Sequence, residues 1–215
     1  MKALRYVLLS DGSSDRALIP HLNWLLKASG VTRPLYPEWA EFRHLREPPR
    51  GLRQRITTTI DLYPCDLVFI HRDAERESIE VRIAEIEDAI DRSNSHLVKP
   101  LSVCVVPVRM HEAWLLFSEA AIRWAAGNPN GRVPLTLPSL QNLEDLSDPK
   151  TTLYNLLKIA SEKSGRRLRR FSIRHAATRV SQFMEDFSAL RTLPAFEKLE
   201  TDIRGLVEAQ NWKTN

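Results

Sequence analysis

The run Leu67-Val68-Phe69-Ile70-His71-Arg72-Asp73-Ala74-Glu75-Arg76-Glu77 sets four apolar residues directly ahead of two carboxylates spaced by one. An unbroken apolar run of this length predicts a strand buried on both faces, as parallel sheets require. In open α/β sheets, ligands bind outside the C-terminal ends of such strands. Asp73 and Glu75 therefore stand where a hard cation would bridge the protein and a substrate phosphate.

The segments around this run repeat the pattern. Residues 5–10 (RYVLLS) predict a second buried strand. Asp11-Gly12-Ser13-Ser14-Asp15 then makes a tight turn into a helix, with Ser13 or Ser14 as N-cap and Asp15 in the favourable first turn. That helix carries Leu18, Ile19, Leu22, Leu25 and Leu26 at helical spacing and ends near Gly30. A weaker strand is expected over 34–40. Pro48-Pro49-Arg50-Gly51 interrupts the chain, and a helix follows over 52–62. Beyond Glu77, the stripe Ile79, Ile83, Ile86 and Ile90 predicts a helix over 77–93. Residues 101–108 (LSVCVVPV) predict a fourth strand with Pro107 at its end, and 111–126 a helix.

Strands alternating with helices imply an α/β fold: a mostly parallel four-stranded sheet, Rossmann-like, with right-handed crossovers and flanking helices. Residues 127–147 are rich in Asn, Pro and Gly and read as a linker or loop. Helices are expected over 151–164, 173–189 and 196–209. The organisation expected is an α/β domain over 1–127, followed by a linker and a helical C-terminal extension over 128–215 packed on it.

The 215 residues, 43% of them hydrophobic, suffice for one sizeable core, and 27% charged residues exclude a disordered chain. A net charge of +4 permits nucleic-acid binding without establishing it. Cys65 and Cys104 each lie beside or within an apolar run and read as buried reduced thiols. No Cys/His spacing suits structural zinc. The N-terminus enters a strand at once and no apolar run approaches the roughly 20 residues that span a bilayer, so a cytoplasmic protein without membrane association is expected.

In a parallel sheet the strand ends share one edge. The first strand brings Asp11 and Asp15 there, the third Asp73 and Glu75 with His71 and Glu77 nearby, and the fourth His111 and Glu112. Asp11, Asp73, Glu75 and Glu112 gathered together repel one another unless a cation compensates. Mg²⁺ suits such a set, since it takes few carboxylates and keeps water and phosphate oxygens. Two such ions about 4 Å apart suit in-line phosphodiester cleavage. Capping and solvation account for Asp11, Asp15, His111 and Glu112 equally well, and Trp114 reads as core.

These residues resemble a family. Asp11-Gly12-Ser13-Ser14-Asp15 sits where the Toprim domain has Glu-Gly-x-x-Glu, and Asp73-Ala74-Glu75-Arg76-Glu77 is similar to the D-x-D-R-E run of type IA topoisomerases. The Toprim fold is the catalytic domain of topoisomerases, bacterial primases and OLD-family nucleases. A closer likeness is to a bacterial group of Toprim-like domains of unknown function found near mobile elements and defence genes. That likeness rests on His111-Glu112-Ala113-Trp114-Leu115-Leu116, Asp148-Pro149-Lys150 and Leu193-Pro194-Ala195-Phe196. The chain departs from the pattern at Asp11, where the family has Glu, and at Glu75, where it has Asp. Each exchange moves the carboxylate by about 1.5 Å.

The resemblance implies that Asp11, Asp73 and Glu75 ligate Mg²⁺ or Mn²⁺, with Glu112 as a further ligand and Asp15 as a second-metal ligand or a supporting group. It makes Asp11, Asp15, Asp73, Glu75 and Lys150 the catalytic set, with Lys150 neutralising charge that develops on a phosphate. Lys163, Arg166, Arg167, Arg169, Arg170 and Arg174 fall within twelve residues, and Arg43, Arg46, Arg50, Arg53 and Arg55 form a second basic group. Either group could grip phosphates or be a solvated face, and the first could instead meet an acidic protein. Without a sequence-reading module, contacts to nucleic acid, DNA before RNA, would go to the backbone.

The function expected is a Toprim-type metal-dependent nuclease acting in bacterial mobile-element or phage defence. The alternative is a catalytically degenerate Toprim module that binds nucleic acid or a partner ATPase supplied by a neighbouring gene. A von Willebrand A-like adhesion site would explain Asp11-Gly12-Ser13 but not the carboxylate pair after the third strand. The absence of G-x-x-x-x-G-K-[ST] excludes a P-loop nucleotidase.

Overall fold

Alternation along the strands divides the core into two. In β1 (Leu4–Leu9), Leu4, Tyr6 and Leu8 face one side of the sheet, while Val7 and Leu9 face the other. In β3 (Leu67–His71), Leu67 and Phe69 join the first side, and Val68 and Ile70 the second. All five β3 residues are buried, so the strand has helices on both faces, as its unbroken apolar run requires. The computed structural model describes residues 2–75, 77–93 and 100–213. Arg76 of the acidic run lies outside the described residues.

With β2 (Leu35–Trp39) and β4 (Leu101–Val105), these strands form a four-stranded, all-parallel sheet in the order β2-β1-β3-β4. Helix α1 (Ile19–Ala28) covers the first face with Leu22, Leu25 and Leu26, and α2 (Gly51–Leu62) and α3 (Ile79–Asp91) cover the second with Ile56, Ile60, Ile86 and Ala89. This is a Rossmann-like arrangement. The chain leaves β1 for β2 on one side and returns across it to β3 on the other. The reversal puts a crevice between the C-terminal ends of β1 and β3, where ligands bind in folds of this order.

Helices α4 (Glu119–Ala125), α5 (Pro149–Ser161), α6 (Gly165–Arg169), α7 (Ile173–Arg179) and α8 (Pro194–Ala209) complete the described chain. Leu153 and Leu157 of α5, and Phe196, Leu199 and Ile203 of α8, belong to the same contiguous core as α1 and the first sheet face. The C-terminal helical region thus forms one wall of the sheet's own core.

Three helices differ from their sequence expectation. The turn after β1 is capped by neither Ser13 nor Ser14. Gly12 is its N-cap, the Asp15 carboxylate accepts the Gly12 N–H at 2.8 Å, and the first turns are a 3₁₀ segment over Ser13–Leu18 before α1 starts beside Pro20. The helix expected over 111–126 is broken: His111–Leu115 is 3₁₀, and Ser118 caps α4 by accepting the Ala121 N–H. The helix expected over 173–189 stops at Arg179 and passes through a 3₁₀ turn to extended Met184. Beyond it, the Asp186 carboxylate takes both the N–H and the hydroxyl of Ser188, a local bond that competes with the helical ladder. Strand β4 ends at Val105, ahead of Pro107, which has no N–H to give.

Candidate metal centre

The site starts from the β3–β4 register. His71 pairs with Val105, and its ring Nδ1 lies 2.9 Å from the Val105 carbonyl. A carbonyl only accepts, so Nδ1 carries the proton and donates it. The ring is thereby fixed with Nε2 pointing away from the strand, the support that metal-bound imidazoles receive from backbone carbonyls. Nε2 faces two carboxylates, 3.9 Å from Asp15 Oδ2 and 3.5 Å from Asp73 Oδ1.

His111 arrives from the segment after β4. Its N–H donates to Asp73 Oδ1 at 3.0 Å, which ties that segment to the end of β3. Its ring Nδ1 is buried, makes no hydrogen bond, and lies 3.5 Å from both Asp15 Oδ1 and Glu112 Oε2. Asp15 is held from the β1 side by the Gly12 N–H and by the Ser14 hydroxyl, which donates to Oδ1 at 3.1 Å. Donor atoms of Asp15, His71 and His111 all lie within 4.8 Å of one another, and all three residues are buried.

Buried nitrogen and oxygen donors that face one another without hydrogen bonding are costly unless something positive lies between them. Three ligands from the ends of β1, β3 and β4, one of them an orphaned imidazole nitrogen, fit a divalent cation. The carboxylates of Asp73 and Glu112 flank the set. Burial pushes the Asp73 carboxyl above its usual range; the two histidines oppose that shift, and the nearby Asp15 and Glu112 add to it.

Lys150 closes one side. Asp148 caps α5 by accepting the Thr151 N–H at 2.8 Å, with Pro149 at the first helical position, so Lys150 sits in the first turn. A cation there meets the positive end of the helix dipole. It is balanced by Glu112, whose Oε1 lies 3.2 Å from Lys150 Nζ. Partial burial works against the lysine's charge, but Glu112 outweighs it and raises the ammonium above its usual value. Beside this pair opens a cleft of about 560 Å³ lined by Ser13, His111, Glu112, Lys150, Tyr154 and Arg174, among others.

The structure therefore brings together Asp15, Asp73, Glu112 and Lys150 of the residues expected from sequence. It does not add Asp11 or Glu75 to the buried cluster. Asp11 is 54% exposed; its carboxylate is bonded by Arg55 from α2 and lies 3.4 Å from Arg72 Nε. Glu75 is exposed, takes the left-handed conformation at φ 56°, and its backbone carbonyl accepts from Arg109. Of the five arginines expected at nucleic acid, Arg174 lines the cleft, while Arg166, Arg167, Arg169 and Arg170 are exposed on α6 and just after it.

The imidazoles of His71 and His111 are the donors that an all-carboxylate ligand set misses. A signal for His71 was present: in strict alternation it continues Leu67 and Phe69, so it faces the same side of the sheet. His111 carried the same signal as Glu112, its place just beyond the fourth strand.

Comparison of the chain with protein-family models, curated proteins and solved structures yields no match. Among the described residues no helix is long and apolar enough to cross a membrane.

Proposed function

We propose that the chain is a metal-dependent phosphodiester hydrolase, a nuclease of Toprim type, with its cation held by Asp15, His71 and His111. The observation that carries this reading is the buried cluster of those three residues at the β1/β3 crevice, with His111 Nδ1 left without a hydrogen bond. Two imidazoles among the donors suit a transition-metal ion better than Mg²⁺, and Mn²⁺ is the one that carboxylate and phosphate oxygens also suit. A divalent cation there supplies Lewis-acid stabilisation of a phosphate oxygen and a bound water of lowered pKa. The chain's own groups do the rest. Lys150 and Arg174, both lining the cleft, offer positive charge to a phosphate. Asp73 holds the His111 segment in place through the His111 N–H, and Val105 fixes the His71 tautomer.

The test is Asp15→Asn, assayed for cleavage of DNA and RNA with Mn²⁺. Asparagine keeps an oxygen for the Gly12 N–H, so the turn survives while the ligand charge is lost. Loss of supporting groups alone costs 10–100-fold in such sites, so cleavage should fall by at least about 100-fold. A pure variant that cleaves like wild type would sink the proposal.

One observation favours a second reading. At the position where the resemblance expects the first metal carboxylate, Asp11 is already paired with Arg55 and Arg72. A degenerate module that binds nucleic acid or a partner ATPase without cleaving is consistent with that pairing. It predicts no Mn²⁺ binding by calorimetry in either wild type or Asp73→Asn.

A further inference from the structure

We infer that a polynucleotide strand crosses the strand-end edge in an extended basic track, whose end remote from Lys150 is a groove formed by Arg46, Arg50 and Arg53. The inference rests on the reading of the Asp15–His71–His111 centre as a phosphodiester site, and it names the surface that delivers the substrate to it. The groove, of about 1110 Å³, lies between the β2–α2 connection and the start of α2. The three arginines are exposed. Among the described residues no carboxylate lies within 4.0 Å of their guanidinium groups, unlike Arg43, Arg55, Arg72 and Arg82.

The groove adjoins the metal edge. Pro48 and Pro49 line both it and the next cleft, which also contains Ser10, Asp11, Trp39 and Arg55. Ser13 lines that second cleft and also the one holding Lys150 and Arg174. The order is thus an arginine groove, the end of β1, then the Lys150–Arg174 cleft.

Charge along this path is uneven in a useful way. In the middle, Arg43 is paired with Glu41 and Arg55 with Asp11, so little net charge remains. Trp39 is flanked there by the guanidiniums of Arg16 and Arg43 at 5.4 and 6.0 Å, which leaves its ring engaged with cations rather than open to a base. Guanidinium groups with no carboxylate within 4.0 Å lie at the two ends of the path: Arg46, Arg50 and Arg53 in the groove, which exposed Glu47 also lines, and Arg174 in the Lys150 cleft. Phosphates suit such sites, and the prolines limit the freedom the connection loses when it binds. Exposed guanidiniums grip phosphates whatever the sequence, so the binding inferred is to the backbone.

The test measures binding separately from cleavage. Fluorescence anisotropy of a labelled single-stranded oligonucleotide is recorded with the full chain in EDTA over a salt series. Wild type is compared with R46Q/R50Q/R53Q and with K27Q/R132Q/K158Q, a control that removes the same charge elsewhere. The groove variant should bind about tenfold or more weakly at low salt, and its log K against log salt slope should shrink by about 2, since three phosphate contacts are lost. No binding by wild type overturns the inference, as does equal loss in the two triple variants. So does R166Q/R167Q/R169Q/R170Q taking the whole effect in place of the groove. If wild type cleaves with Mn²⁺ and the groove variant binds as the control does, the track is wrong and the hydrolase reading stands. If binding follows the groove but no cleavage occurs with Mn²⁺, the hydrolase reading fails and the track stands.

Discussion

His71 Nε2 and Asp15 Oδ2 lie 3.9 Å apart across the ends of β3 and β1, with both side chains less than 10% exposed. His71 reaches this place because its Nδ1–H is spent on Val105, and Asp15 because its own turn folds it back onto the Gly12 N–H. Asp15 is fixed by its own turn and His71 by the neighbouring strand β4, and the gap between them is what the fold creates.

A cation in that gap should stabilise the folded protein. Mn²⁺ at 100 times its Kd is expected to add about 2.7 kcal/mol, seen as a rise in Tm. His111→Ala should lose the response, with calorimetric affinity down by at least about 100-fold. An unchanged Mn²⁺ response in His111→Ala would rule out Asp15, His71 and His111 as the ligand set.

Asp11 and Glu75 should behave otherwise. Asp11→Asn and Glu75→Gly are expected to keep Mn²⁺ affinity within about twofold of wild type, because neither belongs to the buried cluster. Glu75→Gly should also raise stability by about 0.5–1 kcal/mol in urea unfolding, since φ 56° is strained for any residue with a Cβ. A large loss of Mn²⁺ affinity in either variant would restore these carboxylates as ligands.

His21 should make the protein acid-sensitive. It is fully buried against Phe187, and burial lowers its pKa from 6.5 to about 3. The folded value lies below the unfolded one, so as pH falls the unfolded chain takes up the proton first. The His21 contribution is complete above about pH 6.5 and is lost as pH falls towards 3, at about 1.4 kcal/mol per pH unit in between. Urea midpoints from pH 7 to pH 4 should fall more steeply for wild type than for His21→Met.

Glu200 of α8 is 4% exposed and takes a two-pronged bond from Arg191, with Nη2 at 2.6 Å and Nε at 2.8 Å. Arg191 holds the Glu200 carboxyl below its usual range. The folded pKa is therefore the lower one, and this contribution is present at neutral pH and lost as pH drops below 4.5. Glu200→Ala should cost about 2 kcal/mol at pH 7, with a smaller cost near pH 3. Equal destabilisation at both pH values would show that the pair's charge is not what matters.

Much of the fold was legible in the chain. The consecutive apolar residues within 5–10 and 67–70 gave buried parallel strands because a strand covered on both faces buries successive side chains. The Ile79–Ile90 stripe gave α3 for the complementary reason, one apolar face on an otherwise solvated helix. Helix breaks at Leu116 and Met184 were not legible, since they depend on caps and local side-chain bonds that propensity alone does not reveal.

The sequence by itself determined that carboxylates and histidines gather at one edge of a parallel sheet, because strand direction and connection handedness leave them no other place. Only the tertiary structure decided which of them form the centre. Asp11 and Asp15 are four residues apart at the same strand end and look alike in sequence. One is drawn outward by Arg55 and Arg72, which come from α2 and the end of β3, and the other is folded inward onto His71 and His111. Those partners are distant along the chain, and electrostatic pairing acts through space. No local pattern could have told the two aspartates apart.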